Sequence, residues 1–133
     1  MKHLQNDDKR LRTLARALNH EMISFVMLMD ATAPNTRGVR KALLEAALNV
    51  EIDISEVCYK RLATQHDRTL LHVRTMLDEL SSLLYAVFQL QLMPAPIYTQ
   101  CKLVIMQMKF LLPHSDHEAE AATSEVVRHA QMG

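Results

Sequence analysis

Histidine and acidic side chains shortly after Leu112 have the types and spacing that could bind a metal ion. His114, Asp116, His117 and Glu118 offer imidazole nitrogen and carboxylate oxygen ligands within one short run. The same residues also suit the exposed, polar start of a helix, and metal ligands need hydrogen-bonded neighbours that hold them in place. We therefore expect a helix start here and predict no metal and no cofactor.

Other residues that could carry catalysis lack the partners that catalysis requires. A serine or cysteine nucleophile needs an adjacent base, and phosphate-binding loops need glycine, of which the chain has two. Glu-x-x-His, the pair by which helical bundles bind two metal ions, does not occur. Cys58 and Cys101 are not spaced as Cys-x-x-Cys and are expected to be small hydrophobic residues without a disulfide. We predict a binding protein and not an enzyme.

The charges are balanced in total but unevenly distributed. The formal net charge is zero, yet residues 1–112 carry fourteen Lys and Arg against eleven Asp and Glu. The remaining residues hold Arg128 against Asp116, Glu118, Glu120 and Glu125. The start of the chain has no signal-peptide pattern, and no stretch is apolar enough to cross a membrane. We expect a cytoplasmic protein with no membrane contact, a mildly basic body and an acidic tail.

Four amphipathic segments account for most apolar residues. Steps of three and four positions mark one buried face of a helix. The four predicted stripes are Leu11, Leu14, Leu18, Met22, Phe25 and Met29; Val39, Leu43, Ala47, Val50, Ile54 and Val57; Leu70, Val73, Leu77, Leu80, Leu84 and Val87; and Ile97, Cys101, Val104, Ile105, Met108, Leu111 and Leu112.

Capping residues, prolines and glycine predict where these helices begin and end. The expected boundaries are caps at Asn6, Asp7 and Asp8, a loop at 31–38 containing Pro34 and Gly38, an end near 63–65, a cap at Thr64 or Asp67, a break at 92–96, and an end at Pro113. Short connections favour antiparallel neighbours. The predicted fold is all-α, an up-down-up-down antiparallel four-helix bundle over residues 1–113.

Residues 114–133 are predicted to form an acidic C-terminal tail. Ser115 and Glu118 have the spacing of a capping box, which favours a helix after them. Few apolar residues follow except Val126 and Val127, so this helix would be marginal by itself. The tail is therefore expected to be partly helical at best.

Two surface features indicate binding. Leu83, Leu92, Ile105 and Met106 lie off the main stripes, which favours self-association. The predicted topology also brings basic residues to one end of the bundle: Lys9, Arg10, Arg12, Arg16, Lys60, Arg61, Arg68 and Lys109. This end could bind a phosphate backbone or, because Asp7, Asp8 and Asp67 dilute its charge, could be an ordinary solvated surface.

The order of landmarks along the chain resembles one known family. These landmarks are Phe25, the run Pro34, Asn35, Thr36, Arg37, Gly38 and Val39, then Leu43 and Leu44, the stretch 77–84, the stretch 90–92, and Tyr98. Over residues 22–112 the chain resembles the Avd family, the accessory proteins of diversity-generating retroelements. These proteins are similar to the four-helix bundles encoded in ribosomal-RNA intervening sequences. Where the family often carries arginines this chain has Ser81 and Tyr85, and where the family ends in a basic segment this chain has Pro113 and an acidic tail.

The resemblance implies a homo-oligomer, a pentameric ring, that binds a reverse transcriptase and its structured template RNA and supports mutagenic cDNA synthesis without chemistry of its own. The residues expected to contact RNA or the enzyme are Arg10, Arg12, Arg16, Arg37, Arg40, Lys41 and Arg74. The alternative is a self-associating structural or protein-interaction bundle without nucleic-acid binding, which the zero net charge favours.

Overall fold

The computed structural model of this chain describes residues 2–29, 36–59 and 66–112, with side chains from residues 7, 36 and 68 onward in the three segments. These residues form four helices: α1 (Lys2–Leu28), α2 (Arg37–Tyr59), α3 (His66–Gln89) and α4 (Ala95–Leu111). No strand occurs within these three segments. The all-α prediction is confirmed.

The four helices pack as a closed square in which neighbours run antiparallel. Helix α1 contacts α2 and α4, and α3 contacts α2 and α4. The antiparallel directions follow from contacts that join the first part of one helix to the last part of its neighbour: Asp8 to Cys58, His72 to Asp53, Arg74 to Leu112, and Tyr98 to Phe88. The structure is therefore the predicted up-down-up-down four-helix bundle.

The predicted stripes form the core of this bundle. All six predicted residues of α3 are buried, and so are most of those in the other helices. Leu14, Met29, Val39, Ile97 and Leu111 are partly buried and pack against the core. The structure adds two buried α1 residues that the stripes omitted, Ala15 and Val26. The reason is that α1 packs against two neighbours, so its buried face is wider than one stripe.

Several predicted helix starts are wrong. Helix α1 begins at Lys2, so the polar run at 6–8 lies inside the helix, since no proline or glycine precedes it to delay the start. Asp67 lies inside α3, which begins at His66, while Thr64 is outside the described residues. Helix α2 begins at Arg37, so Gly38 is helical and not part of the loop, and space is open around it. The end of α2 near 63–65 also lies outside the described residues.

The turn between α3 and α4 ends α3 before any proline is reached. Gln91 has a positive φ of 62°, its amide donates to the Phe88 carbonyl at 2.9 Å, and the Leu92 amide donates to the Val87 carbonyl at 3.2 Å. This pair of bonds is a Schellman motif, which satisfies the last carbonyls of a helix. Pro94 then precedes α4, whose first turn includes Pro96, where a missing amide proton is harmless.

Helix α4 ends at Leu111, as the proline at 113 predicts. Leu112 is extended, with ψ of 130°, which is the conformation that a following proline imposes. The predicted tail, residues 114–133, lies outside the described residues. None of the four helices is long and apolar enough to cross a membrane.

Candidate nucleic-acid interface

One end of the bundle, here called the basic end, brings together the start of α1, the end of α2, the start of α3 and the end of α4. The Cys58 thiol donates to the Asp8 carbonyl at 3.9 Å, and Arg74 Nη2 donates to the Leu112 carbonyl at 3.1 Å. Exposed basic residues at this end are Lys9, Arg10, Arg12, Arg16 and Arg68. Lys109 is half-buried and pairs with Asp78, while Lys60, Arg61 and the Asp67 side chain are outside the described residues.

Arg12 and Arg16 lie together on the side of α1 that faces α2. Both line a shallow cleft with Ala15 of α1 and with Glu51 and Ser55 of α2. The two arginines are one helical turn apart, which keeps their guanidinium groups on one face. The carboxylate of Glu51 in the same cleft reduces the net positive charge at this point.

Helix α2 presents its own exposed stripe beside these arginines. Its members recur every three or four residues, so they share one face: Arg37, Lys41, Leu44, Leu48, Ile52, Ser55 and Tyr59. A cleft of about 730 Å³ joins this stripe to Asp8 and Arg12 of α1. We call the combined surface the α1–α2 face.

The α1–α2 face is basic at both ends and apolar between them. Arg37 and Lys41 lie at the end opposite Arg12 and Arg16. Glu51 marks the position of the arginine cleft along α2, and at a rise of 1.5 Å per residue Lys41 lies about 15 Å from it. Between the basic groups lie exposed apolar side chains of both helices: Ile23, Met27, Leu44, Leu48 and Ile52. Such a surface can bind a phosphate group and an apolar partner at once.

Arg40 is the half-buried member of the predicted set on α2. Its Nε atom is buried and has no hydrogen-bond partner among the described residues. An unsatisfied guanidinium nitrogen costs free energy unless a partner or water supplies an acceptor. Arg40 is therefore less accessible to a ligand than the exposed Arg37 and Lys41.

Arg10 and Arg74 lie apart from the α1–α2 face. Arg10 precedes Arg12 by two residues. Its side chain is therefore rotated by about 200° around α1, to a different side of the bundle. Arg74 is half-buried on α3, and its bond to the Leu112 carbonyl stabilises the end of α4. The structure thus brings four of the seven predicted residues onto one face, places Arg40 half-buried on α2 and leaves these two elsewhere.

The apolar residues predicted to lie off the stripes are mostly not on the surface. Ile105 is buried in the core, as its place in the fourth stripe predicts, and Leu83 and Leu92 pack partly buried against that core, so their assignment to a surface is wrong. The reason is that α4 packs against both α1 and α3 and needs a wide apolar face. Only Met106 of the four is exposed, at 57%.

A second exposed apolar surface, here called the α4 strip, consists of Leu103, Met106 and Phe110. Their spacing of three and four residues places them in one line opposite the α4 core residues. Leu103 is 49% and Phe110 is 88% exposed. Lys102 and Lys109 flank the strip on the side toward α3, and α4 contains no acidic residue.

Sequence reasoning identified Met106 but missed the other members of both exposed apolar surfaces. The signal was present, since Leu44, Leu48 and Ile52 repeat every four residues outside the predicted stripe. A repeat of apolar residues next to a wider core stripe has the same pattern as a broad buried face. Only the positions of the neighbouring helices distinguish the two.

The cysteines and histidines add no reaction centre within the described residues. Cys58 and Cys101 are free thiols. Burial, and to a lesser degree the nearby Glu21 carboxylate, raises the pKa of Cys101 to about 11, so its thiol is neutral and unreactive at pH 7. No group of three or more His, Cys, Asp or Glu side chains in the described segments could hold a metal, and His114, Asp116, His117 and Glu118 fall outside them.

Comparison with known proteins adds no further assignment. No protein-family model matches the chain, and neither a curated protein nor a solved structure is significantly similar to it.

Proposed function

We propose that this chain is an Avd-like, non-catalytic accessory protein of a diversity-generating retroelement, which binds a reverse transcriptase and its template RNA in the cytoplasm and supports mutagenic cDNA synthesis. The observation that carries the proposal is the α1–α2 face, where basic groups lie at both ends of an apolar centre. The order of landmarks described above supports the family. The basic ends suit RNA phosphates, and the apolar centre suits an apolar protein surface.

The RNA part of the proposal is tested by the salt dependence of binding. Each phosphate contact releases counterions, so removing one contact lowers the slope of log affinity against log salt by about 1. We expect Arg12→Gln with Arg16→Gln to lower both the affinity for structured RNA and this slope. Arg10→Gln is the matched control, since Arg10 is also exposed on α1 but lies off the α1–α2 face.

Filter-binding or fluorescence titrations between low and physiological salt measure the effect. Wild-type binding that does not change with salt would remove RNA as a ligand of this surface. Equal losses in the Arg10 variant and the double variant would assign binding to overall charge and not to the α1–α2 face.

The ring-like homo-oligomer is the second part of the proposal. A closed ring needs two different surfaces on each copy, which bind each other head to tail. The α1–α2 face and the α4 strip are two separate exposed apolar surfaces of this kind. We expect Leu48→Glu to lower the mass measured by light scattering, and Leu90→Glu, an equally exposed site at the end of α3, to leave it unchanged.

The alternative function is a self-associating structural or protein-interaction bundle without nucleic acid. Its support is the zero net charge of the chain and the Glu51 carboxylate in the arginine cleft. Purification from the native host separates the two functions. A reverse transcriptase and RNA that copurify support the accessory protein, and a nucleic-acid-free oligomer supports the alternative.

A further inference from the structure

A cleft between the third and fourth helices, here called the α3–α4 cleft, lies away from the α1–α2 face. Its volume is about 110 Å³. Its walls combine apolar, aromatic, hydroxyl and basic side chains: Ser81 and Leu84 of α3, and Tyr98, Lys102, Ile105 and Met106 of α4. Leu84 and Ile105 are buried and form its apolar floor. Ser81 is small, so it leaves a space between the two helices that a larger side chain would fill.

An aromatic ring held in place by two others borders the α3–α4 cleft. Tyr98 stacks on Phe88, with ring centroids 4.6 Å apart and planes within 6° of each other. Its ring also meets that of Tyr85 at 6.3 Å and a tilt of 56°. These contacts fix Tyr98 before a ligand arrives, so that binding costs little further ordering of this side chain. Tyr98 and the thioether of Met106 both make favourable contacts with aromatic rings, so the cleft favours an aromatic ligand.

Lys102 gives the α3–α4 cleft a positive charge that no acidic side chain of the described segments neutralises. Helix α4 contains no acidic residue, and Lys102 makes no ion pair within the described part of the chain. Lys109 also borders the cleft, but it already pairs with Asp78. The hydroxyl group of Ser81 is a further hydrogen-bond donor on the opposite wall. One available cation and one hydroxyl donor suit a ligand with a single negative charge.

The volume of the α3–α4 cleft limits the ligand to a single ring. An apolar cavity of about 150 Å³ holds benzene, so a cleft of about 110 Å³ that opens to solvent takes one six-membered ring with its substituent at the mouth. Lys102 is exposed and therefore meets a charged substituent at that mouth without being taken out of water. A second fused ring would exceed the space.

From these features we propose that the α3–α4 cleft binds a small aromatic carboxylate. The ring lies against Leu84 and Ile105, and Lys102 and Ser81 bind the carboxylate. None of these four residues belongs to the α1–α2 face, so the proposal does not depend on the proposed function. A ligand in this position contacts both α3 and α4, and it stabilises the bundle because it binds the folded state alone.

Benzoate, which has one ring and one carboxylate, is the probe for this site. We expect a titration of the full-length, ¹⁵N-labelled protein to shift the amide signals of Ser81, Leu84, Lys102 and Ile105 most strongly in NMR spectra. The dissociation constant should be about 1 mM, as is usual for so small a ligand. Benzyl alcohol, which has the same ring without the charge, should bind at least about threefold more weakly, because it makes no charge-assisted hydrogen bond.

Three substitutions separate the charge from the cavity. Lys102→Met keeps the side-chain stem and removes the charge, so it should weaken benzoate at least about threefold and leave benzyl alcohol unchanged. Lys102 is exposed, and its substitution leaves the bundle core intact. Lys9→Met, which removes an exposed lysine of α1, is the matched control and should alter neither affinity. Ser81→Leu fills the cleft and should weaken both ligands at least about tenfold.

Each measurement has a result that rules out the α3–α4 cleft as a site for an aromatic carboxylate. Amide shifts that do not saturate, or that centre on another part of the bundle, would show that benzoate has no site here. Equal losses of benzoate affinity in Lys9→Met and Lys102→Met would assign binding to overall charge. Benzoate affinity that Ser81→Leu leaves unchanged would place the ligand outside the cleft.

Discussion

Some half-buried polar side chains of this bundle make hydrogen bonds that stabilise the fold. Arg74 is the clearest case, because its Nη2 atom donates to the carbonyl of Leu112, beyond the last turn of α4. That carbonyl has no partner within α4, and a charged donor satisfies it well. The arginine that sequence reasoning assigned to RNA therefore has a structural contact as well.

Replacing Arg74 by methionine keeps the apolar stem and removes the hydrogen bond. We expect Arg74→Met to lower the free energy of unfolding by about 1–3 kcal/mol. Urea denaturation followed by circular dichroism measures the change. Arg68→Met is the control on the same helix, where an exposed side chain should alter stability by less than about 0.5 kcal/mol. Equal effects of the two substitutions would show that the bond to Leu112 contributes nothing.

Cys101 gives the bundle a dependence on alkaline pH. Its pKa rises from 9.0 to about 11 in the folded protein, because burial disfavours the thiolate. Below pH 9 the thiol is neutral in both states and its contribution to stability is fully present. As the pH rises from about 9 through 11, the unfolded chain ionises first, so the folded state loses stability.

We expect the unfolding free energy of the wild type to fall more steeply between pH 9 and 11 than that of Cys101→Ala. The comparison of slopes removes the contributions of lysines and tyrosines, which both proteins share. Thermal or urea unfolding at several pH values gives the slopes. Parallel slopes would mean that the folded protein does not disfavour the thiolate.

Helix ends depend on special backbone conformations more than helix interiors do. Helix α3 stops at a Schellman motif in which Gln91 adopts positive φ, a conformation that glycine adopts without strain. The sequence has no glycine there, and the two prolines that follow suggest a later break. The position of this turn is therefore set by the packing of Leu92 and Met93 against the core.

Gln91→Gly should relieve the strain of positive φ. We expect an increase of about 1 kcal/mol in unfolding free energy, since an L side chain in this conformation costs about 1–2 kcal/mol. Gln100→Gly is the matched control, the same change inside α4, and should destabilise by about 1 kcal/mol. Both are measured by urea denaturation. A destabilising effect of Gln91→Gly would mean that its side chain matters more than its backbone.

The whole molecule is stabilised by one continuous core that all four helices share. Its members come from every helix, and the α3 residues are its most regular part. We expect Leu77→Ala, which removes a fully buried side chain, to lower stability by about 2–5 kcal/mol. Leu71→Ala, on the exposed side of the same helix, should cost less than about 1 kcal/mol.

Calorimetry or urea denaturation distinguishes these two leucines. If Leu71→Ala is as harmful as Leu77→Ala, Leu71 must be buried by a partner, and the surface of α3 would then belong to an interface. Repeating the measurement at two protein concentrations identifies that case, because association makes the melting temperature depend on concentration.

The amino-acid sequence determined the four helices, their buried stripes and the all-α class. Apolar spacing is a local property, so Leu70, Val73 and Leu77 could be assigned to one buried face without knowledge of their neighbours. Short connections then determined the antiparallel order. Asn6, Asp7 and Asp8 show the limit of such reasoning, since residues that favour a cap are also tolerated within a helix.

Tertiary packing decided which polar and apolar groups share a surface. Arg10 and Arg12 are close in sequence yet lie on different sides, while Arg12 and Ser55 line one cleft. Ile105 and Met106 are adjacent, and one is core while the other is exposed. Such outcomes depend on how each helix is rotated against two neighbours, and this rotation is set by the sum of many side-chain contacts between segments distant in sequence.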